Sequence, residues 1–69
     1  MANNVHAVTE VVGTSTTSIS DAIQGAIETA GRSLRNLEWF EVTEIRGKIA
    51  DSKAAGYQVS LKLGFRYEK

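Results

Sequence analysis

The chain is organised around residues 34–49, which read LRNLEWFEVTEIRGKI and contain its only tryptophan. If this stretch is a β-strand, successive side chains point to opposite faces of a sheet. Phe40 and Val42 then share one face, and Trp39 and Glu41 share the other, more polar face. A large aromatic ring on a polar face stacks either on a neighbouring subunit or on a ligand. The stretch by itself leaves both interpretations open.

The chain length favours assembly. The 69 residues are expected to form a single domain over residues 1–69, and a domain of this size buries only about 60% of the surface that its unfolded chain exposes. Small domains usually gain stability from disulfides, a structural metal or oligomerisation. The chain has no cysteine, and its one histidine, His6, cannot form a tetrahedral zinc site alone. We therefore predict an oligomer.

The charge pattern argues against two classes of partner. Eight basic and eight acidic residues are interspersed along the chain, whereas proteins that bind nucleic acid usually concentrate basic residues in a patch. The first residues, MANN, carry no basic side chain and no apolar segment follows them. No apolar run approaches the ~20 residues that a membrane span requires. We expect a soluble cytoplasmic protein that contacts neither nucleic acid nor a membrane.

The segment before the tryptophan stretch predicts a strand and a helix. Residues 5–12 are rich in valine and predict a first strand, and the polar residues 13–17 predict a turn. Ser18 is suited to cap the helix that follows, with Asp21 reaching back to it. Small and branched apolar residues then recur at helical spacing on one face: Ala22, Ile23, Ala26, Ile27 and Ala30. The helix is expected to end at Gly31 or just after it.

The last segment carries the clearest alternation. A polar turn is predicted over residues 50–56, followed by a strand over residues 57–67 whose alternate residues are all apolar: Tyr57, Val59, Leu61, Leu63, Phe65 and Tyr67. Such a strand belongs in the centre of the sheet, which predicts an α+β fold of β-α-β-β topology with strand order 1-3-2.

One helix covers only one face of this sheet. We expect it to cover the face that bears Phe40, Val42 and the apolar side chains of the third strand. The opposite face then carries Trp39, Gln58 and Ser60 without a cover. Gly47 is interpreted as a β-bulge that changes the alternation near Glu44, Ile45 and Arg46.

Few residues suggest a ligand-binding or catalytic role. Trp39 anchors a subunit interface or stacks on a ligand, and Gln58 favours the ligand, because an amide with donors and an acceptor suits the edge of a heterocycle. His6 has no Ser, Cys or Asp partner at a recognisable spacing and is interpreted as an exposed strand residue. The carboxylates Glu38, Glu41 and Glu44 are interpreted as a solvated strand edge. Neither a phosphate-binding loop nor metal-ligand spacing is present, so no enzymatic activity is expected.

Several segments together resemble the bacterial-type dodecins. They read GTS (13–15), LRNLEWFEV (34–42), EIRG (44–47) and YQVSLKLGF (57–65), with the Ala-Ile helix between the first two, and the resemblance covers residues 5–67. It implies a sheet that half-wraps its helix and a hollow homododecamer. It also implies that a flavin, namely FMN, riboflavin or FAD, binds in pairs between subunits, with the two rings stacked on each other and flanked by tryptophans.

The resemblance assigns roles to particular residues. Trp39 matches the stacking tryptophan, and Gln58 matches the glutamine that hydrogen-bonds the edge of the ring. Glu44 and Arg46 match positions that line the lower pocket in some members. The hairpin departs from the family, since Asp51 is followed by serine where glycine is common. Some members also bind coenzyme A, for which no residues can be matched here.

Three functions are compatible with these residues and with what the resemblance implies. The first is a flavin store that sequesters FMN or riboflavin and quenches its photochemistry. The second is a small flavin-dependent electron carrier or flavoenzyme, which is disfavoured because rings covered on both faces leave no room for a substrate beside the flavin N5. The third is a structural assembly module, which follows if Trp39 only packs an interface.

Overall fold

The computed structural model describes residues 5–67, in which four elements follow one another. They are β1 (His6–Ser15), α1 (Ile19–Gly31), β2 (Leu37–Ala50) and β3 (Lys53–Arg66). Both outer strands pair antiparallel with β3, and the strand order is β1-β3-β2. The predicted topology and the central position of the third strand are confirmed. Residues 1–4, in which no targeting signal is expected, lie outside the described residues. Within residues 5–67, no helix has the length and apolarity needed to cross a bilayer.

The strands extend further than the sequence predicts. Residues 13–15 are not a turn, because they continue β1 by pairing with residues 57–59. The predicted turn over residues 50–56 is also wrong, since β3 begins at Lys53 and the hairpin loop is only Asp51 and Ser52. These two residues have φ angles of 53° and 62°, as in the tight turns that match the twist of a hairpin. The short and polar side chains of residues 50–56 (ADSKAAG) belong mostly to exposed strand ends.

The helix begins as predicted, with a different partner for Asp21. Ser18 Oγ accepts a hydrogen bond from the Asp21 N–H at 2.9 Å. The Asp21 carboxylate does not reach back to Ser18, because it accepts from Ser15 Oγ at 2.8 Å. Ser15 Oγ in turn accepts from the backbone N–H groups of Thr17 and Ser18. Ser15 therefore ties the end of β1 to the start of α1, and α1 ends at Gly31 as expected.

The core lies between α1 and the sheet. Its fully buried residues are Ala22, Val59, Leu61 and Leu63, so the apolar side of β3 faces the helix as predicted. The helix does not cover all of β2. Val42 reaches the core, but Phe40 is 49% exposed and Ile45 is 52% exposed. A helix about 10 Å wide spans only about two strands that lie about 4.8 Å apart, which leaves part of the apolar side of β2 open.

Gly13 allows β1 and α1 to approach each other. It pairs with the buried Val59, and a Cβ atom at this position would overlap the backbone oxygen of Ala22 and lie 3.0 Å from the Cβ atom of Ala26. We expect Gly13→Ala to destabilise the fold by about 1–3 kcal/mol, the usual cost of overpacking. Thermal unfolding followed by circular dichroism measures the effect.

The matched control is Gly25→Ala. Nothing lies within 4 Å of a Cβ atom at this exposed position of α1, and alanine is favoured over glycine inside a helix by about 0.5–1 kcal/mol. The same chemical change should therefore raise the melting temperature at Gly25 and lower it at Gly13. A G13A protein at least as stable as the wild type would show that β1 and α1 do not need this close contact.

Candidate functional site

The sheet face turned away from α1, called the outer face below, carries the candidate site residues. β3 contributes five residues to this face: Gln58, Ser60, Lys62, Gly64 and Arg66. Side chains directly opposite each other in an antiparallel pair project to the same side. Trp39 pairs with Gly64, and Arg46 pairs with Gln58. The predicted placement of Trp39 and Gln58 on one face is confirmed.

A β-bulge in β2 decides where Glu44 and Arg46 point. The register of β2 against β3 shifts at Thr43, whose hydroxyl donates to the backbone oxygen of Ser60 at 3.1 Å. The predicted change of alternation is therefore confirmed, but its assignment to Gly47 is wrong, because Gly47 keeps its regular partner in β3. One extra residue reverses the alternation beyond it. Glu44 and Arg46 thus lie on the outer face.

Trp39 forms a flat apolar platform on this face. Its side chain lies across Gly64, where a Cβ atom would overlap Cε2 and Cζ2 of the indole. Because Gly64 has no side chain, the ring packs directly on the backbone of the central strand. The residue is nevertheless 42% exposed, so part of the ring system faces solvent.

A histidine that the sequence interpretation set aside lies beside this platform. The His6 and Trp39 ring centroids are 5.3 Å apart and the rings are tilted by 55°. His6 Nε2 lies 2.8 Å from Glu38 Oε1, and the other oxygen of Glu38 lies 3.9 Å from Arg66 Nη1. His6 and Glu38 are exposed strand residues, as interpreted, but their side chains are paired with each other. Their 32-residue separation in the chain gives no local signal, and only the strand register brings them together.

Glu44, Arg46 and Gln58 form a second group. Arg46 Nη2 lies 2.8 Å from Glu44 Oε2, and both side chains are more than half exposed. Arg46 and Gln58 line a groove of about 690 Å³ together with residues of the β1 end and the hairpin, among them Thr14, Ser15, Lys48 and Tyr57.

The four predicted site residues therefore do not meet in one protomer. Gln58 and Gly64 are six positions apart on β3, which corresponds to about 20 Å at about 3.3 Å per residue. Trp39 lies over Gly64, at the far end from Gln58. The structure brings Glu44, Arg46 and Gln58 together and leaves Trp39 with His6 and Glu38.

The two groups offer different interactions. The Trp39 platform suits a planar aromatic ring, for which stacking is worth about 1–3 kcal/mol. Gln58 presents amide donors and an acceptor, and the charge of Arg46 is balanced by Glu44. No three potential metal ligands of the His, Cys, Asp and Glu types cluster within residues 5–67. These groups fit a planar, uncharged ring system with a polar edge.

Comparison with known proteins finds a family that matches nearly the whole chain. The family model for Dodecin matches residues 5–68. The chain belongs to the dodecin family. It is 48% identical to the dodecin of Thermus thermophilus over 65 residues, which are 94% of each chain. The resemblance read from the sequence motifs is confirmed.

Solved dodecin structures have the same fold. The dodecin of Streptomyces coelicolor is 51% identical and superposes with a TM-score of 0.90 over 100% of this chain and 99% of that one. The dodecin of Streptomyces davaonensis is 43% identical, with a TM-score of 0.90 over 99% of this chain and all of that one. The β-α-β-β topology with strand order 1-3-2 is thus the dodecin architecture.

Proposed function

We propose that this dodecin binds flavin, as FMN or riboflavin, and serves as a store and buffer of the free cofactor and not as an enzyme. The observation that carries the proposal is the partly exposed Trp39 ring, which Gly64 holds directly on the central strand. Oxidised isoalloxazine is planar and neutral, so it matches a flat apolar platform. Membership of the dodecin family supports this choice of ligand.

The site is completed by a second copy of the chain. The ring system of a flavin is shorter than the distance of about 20 Å that separates the Trp39 platform from Gln58 along β3. One ring therefore cannot contact both side chains of the same protomer. We infer that Trp39 of one protomer and Gln58 of another contact the same flavin, with Glu44 and Arg46 beside Gln58.

The uncovered part of β2 supports assembly. Phe40 and Ile45 pair with Leu63 and Val59 and so belong to the apolar side of the sheet, yet each is about half exposed in the protomer. Exposed apolar residues of this kind favour burial against another copy. The chain also lacks cysteine, so no disulfide supplements its small core. We propose a closed homododecamer.

Storage fits the groups near the proposed ring better than catalysis does. Gln58 is neutral, and the Arg46 charge is offset by Glu44 at 2.8 Å. Two flavin rings that stack on each other and on tryptophan have both faces covered, which denies a substrate access to N5. The same stacking places the tryptophan in contact with the flavin ring, whose emission it quenches. The similar proteins give no support for coenzyme A as a ligand.

Size-exclusion chromatography with light scattering and flavin absorbance tests this function. We expect a particle of about 90 kDa, twelve times the 7.5 kDa chain, that co-elutes with added FMN and quenches its emission. A monomer or dimer at micromolar concentration in neutral buffer would refute the assembly. A large oligomer that neither retains FMN nor quenches it would refute the flavin store and leave a structural assembly module.

A further inference from the structure

We propose that His6 is a positioning residue that holds the Trp39 indole in its orientation, with Glu38 fixing the imidazole. Its consequence for flavin affinity rests on the proposed function. The orientation itself is a property of the protein without ligand, so the two can be tested separately.

The contact joins the two outer strands across the central one. His6 belongs to β1, whereas Glu38 and Trp39 belong to β2, and β3 runs between them. Strands separated by one neighbour lie about 10 Å apart, so only long side chains can meet over β3. The 2.8 Å separation of His6 Nε2 and Glu38 Oε1 is such a bridge.

Glu38 owes its position to an irregularity of β2. Leu37 pairs with Phe65 and Trp39 pairs with Gly64, so Glu38 is the extra residue of a bulge. Bulges commonly re-aim a side chain. Here the residue directly before Trp39 points its carboxylate toward His6 and Arg66, which places the bridge at the base of the indole.

Trp39 needs support on its β1 side. Gly64 supports the ring from below but has no side chain to stop the indole from sliding or turning. The centroid distance of 5.3 Å and the tilt of 55° between His6 and Trp39 lie in the range of favourable aromatic pairs. The imidazole thus limits the rotamers that an exposed indole would otherwise sample.

Two charged side chains surround the imidazole. Glu38 of β2 accepts its hydrogen bond, and Arg66 of β3 lies opposite His6 in the register. The next charged row on the outer face is Lys62, which pairs with Glu10 and Glu41 one row beyond Gly64. The helix packs against the other side of the sheet.

The first test needs no flavin, because Trp39 is the only tryptophan and its emission reports on this site alone. The emission anisotropy of the assembled protein is measured at neutral pH, with light scattering to show that it stays assembled. His6→Phe, which keeps a ring beside the indole, should retain the wild-type anisotropy. A His6→Phe protein with the anisotropy of His6→Ala would overturn the proposal.

Substitution of two carboxylates provides a matched comparison. Glu38→Gln and Glu10→Gln each remove one negative charge from the outer face, but only Glu38 bonds to His6. We expect Glu38→Gln to lower the emission anisotropy, because the imidazole loses its charged partner, and Glu10→Gln to leave it unchanged. His6→Ala should also lower the emission anisotropy, because the indole loses its neighbour. Equal responses of the two carboxylate variants, or wild-type anisotropy in His6→Ala, would contradict the positioning role.

The second test is FMN affinity. His6→Ala should weaken binding about twofold to tenfold, as expected for the loss of one aromatic pair, and His6→Phe should restore most of it. Wild-type affinity in His6→Ala would overturn the positioning role and leave flavin binding intact. If the wild type binds no FMN, the proposed function fails, and the emission anisotropy alone decides the positioning role.

Discussion

Trp39→Ala is expected to weaken FMN binding about tenfold to a hundredfold per stacking contact while the oligomer keeps its mass. Aromatic stacking on a planar base is worth about 1–3 kcal/mol. The indole is 42% exposed and lies on the opposite side of the sheet from the buried core, so neither folding nor assembly should depend on it. Titration by flavin fluorescence, with light scattering on the same sample, measures both properties.

Gly64→Ala separates the presence of the Trp39 indole from its orientation, and Tyr67→Ala is the matched control. Gly64→Ala keeps the indole but adds a Cβ atom that would overlap it, so we expect a loss of FMN affinity comparable to that of Trp39→Ala. Tyr67→Ala removes another exposed aromatic ring, 61% accessible, and should leave the affinity within about twofold. Unchanged FMN affinity in Trp39→Ala, or collapse of the oligomer, would show that Trp39 is an interface anchor.

Reduced FMN is expected to bind this dodecin more weakly than oxidised FMN, by more than about tenfold. The reduced ring bends more easily and is largely anionic at neutral pH, so two stacked reduced rings repel each other. At about 4 Å and an effective dielectric constant of about 20, two unit charges interact by about 4 kcal/mol, an upper estimate because the charge is spread over each ring. Gln58 is neutral and does not offset this repulsion.

Arg46 is the cation that could compensate the anionic ring. The bulge at Thr43 places Arg46 on the same face as Gln58, but its guanidinium is paired with Glu44 at 2.8 Å. The pair contributes no net charge to the site. Glu44→Gln releases Arg46 and should therefore narrow the difference in affinity between reduced and oxidised FMN. Glu28→Gln, the same change on α1, should leave the difference as it is.

Anaerobic titration with FMN under dithionite, compared with the oxidised titration, measures this difference. Because binding and reduction are linked equilibria, weaker binding of the reduced form also lowers the reduction potential of the bound flavin. Equal or tighter binding of reduced FMN would contradict the storage role and support a flavin-dependent electron carrier.

Local patterns in the sequence were sufficient for the topology. The alternation in residues 57–67 identified the central strand and its apolar side, and the helical spacing of the alanines and isoleucines identified α1. The Ser18 cap needed only its neighbour three residues on. Strand ends were predicted less well, because short or polar side chains at exposed ends, such as those of residues 53–56 (KAAG), resemble loop residues until the pairing with β2 is known.

By itself, the sequence determined the β-α-β-β order, the buried side of β3, the family and the candidates Trp39 and Gln58. Only the tertiary structure decided that Thr43 turns Glu44 and Arg46 to the outer face, and that Gly64 supports the indole. It also brought His6 to Glu38 and left Gln58 distant from Trp39. The physical reason is that alternation and capping act between near neighbours in the chain. Bulges and contacts across strands depend instead on register, which two strands establish only when they pair.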